Sequence, residues 1–158
     1  MEILNQSRDI ALFIDNMRHL RNITVESFLY EIVSIRQYRR YTKGVSSIPY
    51  AILDKLAQRL GFTAEQIIME LETEKFKQTN LIVNVYNYVV AQRFDKADKL
   101  ITSLKDAHLY SQHNAMLYQH ALNLYDYLAK RITNFELVDR INDLIDTDKL
   151  MKKRALST

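Results

Sequence analysis

Glycine and proline are nearly absent from this chain, which has two Gly and one Pro in 158 residues. Tight turns between strands depend on these residues, because glycine reaches positive φ angles and proline fixes the first corner of a turn. A sheet protein of this length would need many more of them. Hydrophobic residues make up 47% of the chain, which is enough to fill a core. We therefore predict an all-α fold of long helices.

The first two predicted helices follow from the spacing of apolar residues. In the first helix the apolar residues recur on one face, and they are Ile10, Phe13, Ile14, Met17 and Leu20. Asn22 is placed to close this helix. Thr24 is a suitable N-cap for a short second helix. The apolar residues of that second helix are Phe28, Leu29 and Ile32.

A third helix is predicted over residues 34–43, with Ser34 as its N-cap and Gly44 ending it in a left-handed conformation. Its inward residues, at three-residue spacing, are Ile35, Tyr38 and Tyr41. Its outward residues are Arg36, Gln37, Arg39, Arg40 and Lys43. Residues 1–73 hold nine basic and nine acidic residues, yet residues 34–43 contain four basic residues and no acidic one. The positive charge of this half is therefore concentrated on one helix.

Such a helix fits the major groove of B-DNA, where Arg pairs with guanine and Gln with adenine. The predicted base contacts come from Arg36, Gln37 and Arg40. The predicted phosphate contacts come from Arg39, Lys43 and Thr24, and from the amide ends of the helices that begin at Thr24 and Ser34. The alternative is an ordinary charged face that is exposed to water and binds nothing.

Two more helices complete the N-terminal part. Pro49 suits the first turn of a fourth helix, which Gly61 ends. Thr63 and Gln66 have the spacing of a capping box for a fifth helix. We predict a domain over residues 1–72, followed by a polar connector, helical or loop-like, over residues 73–79.

This N-terminal pattern resembles the lambda-repressor/Cro-like (XRE) helix-turn-helix family over about residues 8–70. The resemblance is carried by residues 13–18, 23–29, 33–41 and 53–63, together with Gly44 and Ser46. It implies a five-helix DNA-binding domain in which the third helix recognises DNA. Val25 departs from the family, which usually has a phosphate-contacting Gln there, and Thr42 stands where a Glu is common. The connection between the second and third helices is also one residue shorter.

The C-terminal half shows longer helical patterns over residues 80–92, 94–106, 112–130 and 135–145, joined by short connections. Residues 92–100 resemble the turn and second helix of a tetratricopeptide repeat, with Tyr88 nine residues before Ala97. A second hairpin around Phe135 is similar but irregular. We predict tetratricopeptide-like hairpins over residues 80–150 and a frayed tail over residues 151–158. Tyrosines at helical spacing are interpreted here as packing between helices.

A helix-turn-helix domain followed by such hairpins resembles the N-terminal half of Rgg/PlcR-type (RRNPP) regulators of Gram-positive bacteria. This resemblance implies a sequence-specific, cytoplasmic transcriptional regulator that binds double-stranded DNA as a homodimer. It also implies a signalling peptide or a protein partner for the hairpins, although two hairpins favour dimerisation over peptide binding. The alternative is an adaptor or antirepressor with a degenerate helix-turn-helix.

Other function classes find little support in the sequence. The chain has no cysteine, so disulfides and thiolate chemistry are excluded. His113 and His120 lie seven residues apart without acidic partners at metal-ligand spacing, so no metal is expected. The sequence has no glycine-rich phosphate loop and no plausible catalytic triad. We expect neither an enzyme nor a cofactor, and no apolar stretch is long enough to span a membrane.

Overall fold

The computed structural model describes the backbone of residues 2–156 and the side chains of residues 4–146. Every regular element in this part of the chain is an α-helix, which confirms the all-α prediction. The helices are α1 (Glu2–Leu20), α2 (Val25–Leu29), α3 (Ile35–Thr42), α4 (Tyr50–Arg59), α5 (Ala64–Val90), α6 (Phe94–Leu104), α7 (Gln112–Leu128) and α8 (Asn134–Leu156). They form two compact units, Met1–Thr73 and Glu74–Thr158.

The first unit has one apolar core, to which each of its helices contributes. The largest fully buried side chains are Ile14, Phe28, Leu56, Leu60 and Ile67. Helix α3 packs against α1 and α2, and α2 also packs against α4. Tyr38 and Tyr41 of α3 are buried in this core, while Ile35 is half-buried against it. The inward face predicted for the third helix is therefore confirmed.

Local side-chain chemistry sets the helix ends in this unit. The hydroxyl of Thr24 accepts a hydrogen bond from the amide of Ser27, and that of Ser34 accepts one from the amide of Gln37. The predicted N-caps of α2 and α3 are thus confirmed. At the start of α5, Thr63 and Gln66 exchange side-chain and backbone hydrogen bonds, as a capping box requires.

Three helix boundaries in this unit differ from the sequence prediction. Helix α1 begins at Glu2, upstream of the apolar stripe that predicted it. The prediction that Ile32 belongs to the second helix is wrong, because Glu31 adopts a left-handed φ of 59° after α2 has ended at Leu29. Ile32 packs against the core from outside the helix. Pro49 is the N-cap of α4 rather than part of its first turn.

Helix α5 runs without a break through the predicted connector at residues 73–79. From sequence, the polar stretch between the two flanking helical patterns could be either a helix or a loop, and it is a helix. After Gly61 the chain has no glycine or proline, so nothing in this stretch interrupts the backbone hydrogen bonds. Its polar residues include Lys77, which is exposed to water, and Gln78, which is buried and hydrogen-bonded to the His108 carbonyl and the Tyr110 amide.

The second unit is built from the C-terminal part of α5 and helices α6 to α8. Its core residues include Ile82, Val85, Val89, Ala97 and Ala121. Buried Asn114 joins α7 to α5, because its amide nitrogen donates to the Lys75 carbonyl and its amide oxygen accepts from the Thr79 hydroxyl. Such a buried amide is tolerated because both of its ends are hydrogen-bonded.

Helix α8 pairs with α7 and continues to Leu156. The sequence predicted that this helix ends near residue 145 and that residues 151–158 form a frayed tail, so the helix is longer than predicted. Good helix formers without glycine or proline occupy this stretch. The rest of the tail prediction, residues 157–158 and the side chains of residues 147–156, lies outside the described residues.

Candidate nucleic-acid interface

The basic side chains of α3 lie along one face of the helix. Arg36, Arg39, Arg40 and Lys43 occupy positions i, i+3, i+4 and i+7. At about 100° per residue, these positions fall within roughly 100° of arc on the helix surface. All four residues are exposed. We call these four residues the basic row.

The charge along the chain around the basic row is unbalanced, although Arg39 lines a cleft that also contains Arg18, Asp15 and Glu26. No acidic residue occurs between Glu31 and Asp54, so the four cations of the row have no opposite charge within this stretch of chain. No ion pair is described for any of the four. A compact group of exposed cations produces a positive local potential, although residues 1–73 as a whole are neutral. The row is therefore suited to bind an anion such as a phosphate backbone.

The structure brings together the residues that the sequence predicted on α3. Ser34 and Thr24 are exposed, and their hydroxyl oxygens act as helix caps. A capping hydroxyl keeps its own hydrogen, so it can still donate to a phosphate oxygen. Ser34 is the residue directly before α3 begins, so its cap also fixes where the basic row starts.

Gln37 differs from the rest of the predicted contacts because it is half-buried and already hydrogen-bonded. Its amide nitrogen donates to the hydroxyl oxygen of Ser46, 3.1 Å away. This bond fixes the plane of the amide and uses one of its two N–H groups. The sequence analysis did not predict a contact with Ser46, because the two residues are nine positions apart and belong to different elements.

A hydrogen-bonded brace holds α3 on α1. The hydroxyl of Tyr38 donates to Oδ1 of Asp15 at 2.9 Å, and Nε of Arg18 donates to the same oxygen at 2.9 Å. Arg18 also donates to the carbonyl of Ile23, in the segment that leads to α2. Burial raises the pKa of the Tyr38 hydroxyl, and the charge and hydrogen bond of Asp15 raise it further. The neutral hydroxyl is thus the stable form, and it fixes the rotation of α3 about its axis.

The C-terminal end of α3 is closed by a glycine. Gly44 has a φ of 71°, a left-handed conformation that residues with a Cβ rarely adopt. Its amide donates to the carbonyl of Tyr41, and the amide of Val45 donates to the carbonyl of Arg40. The side chain of Arg8 lies against Gly44, with its Cδ 3.1 Å from where a Cβ would be. The predicted left-handed end of the helix is therefore confirmed.

The brace and the glycine closure position the basic row, yet the sequence did not reveal the brace. Asp15 and Arg18 lie 23 and 20 residues before Tyr38, on another helix. Their only sequence signal is that two charged residues stand at helical spacing beside an apolar stripe. That signal is typical of any exposed helix edge, so it did not single them out.

The second unit contains an open groove of about 630 Å³ between α7 and α8. Its lining is mainly apolar and includes Met116, Leu117, Ile141 and Leu144. His113 and His120 also line it, and the His120 ring stacks on Tyr86. Elsewhere in this unit Tyr125 of α7 is buried, as expected for packing between helices, and Tyr110 is buried in the connection between α6 and α7.

The described residues offer neither a cluster for a metal ion nor a helix for a membrane span. No group of three or more His, Asp or Glu side chains within them could hold a metal ion. No helix in the described part of the chain is both long and apolar enough to cross a membrane. Comparison of the chain with models of known protein families, with characterised proteins and with solved structures gives no match.

Proposed function

We propose that this protein is a sequence-specific DNA-binding transcriptional regulator that acts as a dimer. The observation that carries the proposal is the basic row: four exposed cations on one face of a short helix whose opposite face is buried. In this proposal α1 to α4 and the start of α5 form a lambda-repressor-like helix-turn-helix domain, and the C-terminal helices form tetratricopeptide-like hairpins. The protein would act in the bacterial cytoplasm.

The basic row supplies contacts of two kinds in this proposal. Arg36 and Arg40 pair with base edges in the major groove, where the planar guanidinium matches guanine. Arg39 and Lys43, which lie together at one edge of the basic row, bind phosphates, together with the hydroxyls of Thr24 and Ser34. Arg36, in the first turn of α3, fits the geometry of helix-turn-helix proteins, whose recognition helix reads bases mainly with its N-terminal residues, and Arg40 continues the same face one turn later.

Gln37 has fewer hydrogen-bonding groups available for DNA than the sequence suggested. Because one amide hydrogen is bound to Ser46, a contact with adenine would use the remaining hydrogen and the amide oxygen. The bond to Ser46 holds the amide in one orientation before DNA arrives. A preorganised side chain loses less rotamer entropy when it binds.

The first test compares two lysines of the same unit. Lys43→Ala removes one proposed phosphate contact, whereas Lys55→Ala removes an equal charge from an exposed position on α4 outside the basic row. Binding to double-stranded DNA is measured over a range of salt concentrations. Each lost phosphate contact lowers the slope of log K against log[salt] by about 0.9, which corresponds to roughly eightfold in affinity near 0.1 M salt. We expect this loss for Lys43→Ala and little change for Lys55→Ala.

The second test separates base contacts from phosphate contacts. DNA sites are first selected from a random pool by the wild-type protein. The affinity of each variant for these sites is then compared with its affinity for unselected DNA. Arg36→Ala is expected to reduce the preference for the selected site, while Lys43→Ala weakens binding to both DNAs by the same factor. If Arg36→Ala also weakens both by the same factor, the assignment of Arg36 to base contacts is wrong.

The groove between α7 and α8 favours a second candidate function, an adaptor or antirepressor that binds another protein through these helices. Its apolar lining and open shape resemble sites that accept an amphipathic helix. In that case the helix-turn-helix domain would be degenerate, which means that it would keep its fold but no longer bind DNA. The salt titration distinguishes the two candidates: if the wild-type protein binds no DNA even at the lowest salt concentration, the adaptor is favoured and the regulator is excluded.

A further inference from the structure

Helix α5 carries a row of exposed apolar residues in the second unit. Phe76, Val83 and Val90 follow one another at intervals of seven residues and are 68%, 39% and 51% exposed. Asn80 and Asn87 lie between them and are also exposed. The steps along this row alternate between four and three residues, which is the spacing of a coiled-coil seam. We call these five residues the α5 row.

Four of the five residues of the α5 row lie in a stretch of helix without charge, while Phe76 stands just before it, between Lys75 and Lys77. Residues 78–90 contain no Asp, Glu, Lys or Arg, although these residues make up 26% of the chain. Exposed helix faces normally carry charges, and the cores of protein interfaces are depleted of them. At a two-fold axis each residue meets its own copy, so any charge there would face a like charge. An uncharged row therefore suits a second copy of the chain better than a charged partner.

The asparagines add a further reason for a second copy, and they favour one orientation. If Asn80 and Asn87 are placed at the a positions of the heptad, the apolar residues Phe76, Val83 and Val90 fall at the d positions. In a parallel pair, a meets a and d meets d, so amide faces amide and apolar faces apolar. An amide both donates and accepts hydrogen bonds, so it can pair with its own copy.

An antiparallel pair would be less favourable. There, a positions meet d positions, and each amide would be buried against Phe76 or a valine without a hydrogen-bonding partner. A buried amide that lacks a partner costs about 1–3 kcal/mol. The α5 row has two such amides, so the penalty would apply at several layers of the seam.

We propose that the α5 row is a homodimer interface in which two copies of α5 pack side by side in parallel. This inference rests on the dimer in the proposed function and identifies the surface that forms it. Its test uses no DNA, so a failure to bind DNA and a failure to dimerise are observed separately.

The first experiment measures self-association of the full chain by sedimentation velocity over a range of concentrations. Asn87→Lys places two like charges across the proposed axis, and Asn142→Lys makes the same change at an exposed position on α8. We expect the wild type to form a dimer. Asn87→Lys should raise the dissociation constant of this dimer at least about tenfold, because like charges face each other. High salt should restore much of this loss, and Asn142→Lys should associate like the wild type. Circular dichroism checks that helix content is unchanged.

The second experiment determines the orientation. The chain has no cysteine, so a single introduced thiol can form a disulfide only with its own copy. In a parallel pair Asn80→Cys faces itself and should give a covalent dimer on mild oxidation, whereas Asn142→Cys should not. The full chain is used in both cases.

Three results would overturn the proposal. The first is a wild-type protein that stays monomeric at every concentration. The second is a dimer that Asn142→Lys weakens as strongly as Asn87→Lys. The third is a dimer in which Asn80→Cys forms a disulfide only when mixed with Val83→Cys or Val90→Cys, because the pairing of an a position with a d position requires antiparallel helices.

Discussion

The two glycines of the chain allow backbone strain to be separated from side-chain crowding. Gly44 and Gly61 both have left-handed backbones, with φ of 71° and 82°. A Cβ at Gly61 would have no atom within 4 Å, whereas a Cβ at Gly44 would lie 3.1 Å from Cδ and 3.4 Å from Cβ of Arg8. Replacing each glycine by alanine therefore introduces the same kind of strain, with a steric contact at only one of the two positions.

The expected costs follow from these contacts. Left-handed strain costs roughly 1–2 kcal/mol for a residue with a Cβ. Alanine also lowers the conformational entropy of the unfolded chain, which stabilises the folded state by about 0.4–1 kcal/mol. This gain is the same at both positions, so it cancels when the two variants are compared. At Gly44 the stem of Arg8 must also leave its rotamer, at a further cost of about 0.5–1.5 kcal/mol. We expect Gly44→Ala to lower the free energy of unfolding by about 1 kcal/mol more than Gly61→Ala does.

Urea denaturation followed by far-ultraviolet circular dichroism measures these free energies, since the chain has no tryptophan to serve as a fluorescent probe. The decisive comparison combines Arg8→Ala with Gly44→Ala and, separately, with Gly61→Ala. Removal of the Arg8 stem should recover the extra cost of Gly44→Ala, which appears as a coupling energy in a double-mutant cycle. Gly61→Ala and Arg8→Ala should be additive. Equal costs for the two glycine variants, or the absence of coupling between Arg8 and Gly44, would refute this account of the end of α3.

Two further stability predictions concern buried hydrogen bonds. Tyr38→Phe should destabilise the first unit by about 1–3 kcal/mol, because it removes a hydrogen bond to the Asp15 carboxylate. The folded-state pKa of Tyr38 is raised, so its contribution is complete below about pH 10 and is lost as the pH rises further. Urea titrations at several pH values should therefore show a wild-type stability that falls more steeply above pH 10 than that of Tyr38→Phe; parallel curves would contradict the assignment. In the second unit, Asn114→Ala should cost about 1–3 kcal/mol, because it removes both hydrogen bonds of the buried amide, while the Thr79 hydroxyl keeps its bond to the Lys75 carbonyl. Asn142→Ala, at an exposed position, should cost almost nothing, and a similar loss of stability for both variants would show that the buried amide is not what stabilises this unit.

Much of the candidate interface could be predicted from sequence because its determinants are local. The caps at Thr24 and Ser34 act on amides three residues away, and Gly44 directly follows the helix that it ends. The outward direction of Arg36 and Arg40 follows from the helical period and from the buried face of Tyr38. These features depend on neighbours along the chain, which a sequence displays directly.

The contacts that orient the interface could not be predicted, because they join residues that are distant in sequence. The bond from Gln37 to Ser46 and the brace of Tyr38 with Asp15 and Arg18 depend on how separate elements pack. The continuity of α5 could not be decided from sequence for a different reason. A polar stretch is compatible with both an exposed helix and a connector, and the choice depends on what packs on either side of it.

The sequence by itself determined the helical class, the N-caps of α2 and α3, the glycine closure of α3 and the concentration of charge on α3. These properties follow from local backbone preferences and from the helical period. Only the tertiary structure decided that Gln37 is restrained, that Arg8 fills the space beside Gly44 and that Phe76, Val83 and Val90 remain exposed on α5. Exposure is the property that makes a surface available to DNA or to a second copy. It depends on which helix faces the packing of the core leaves uncovered.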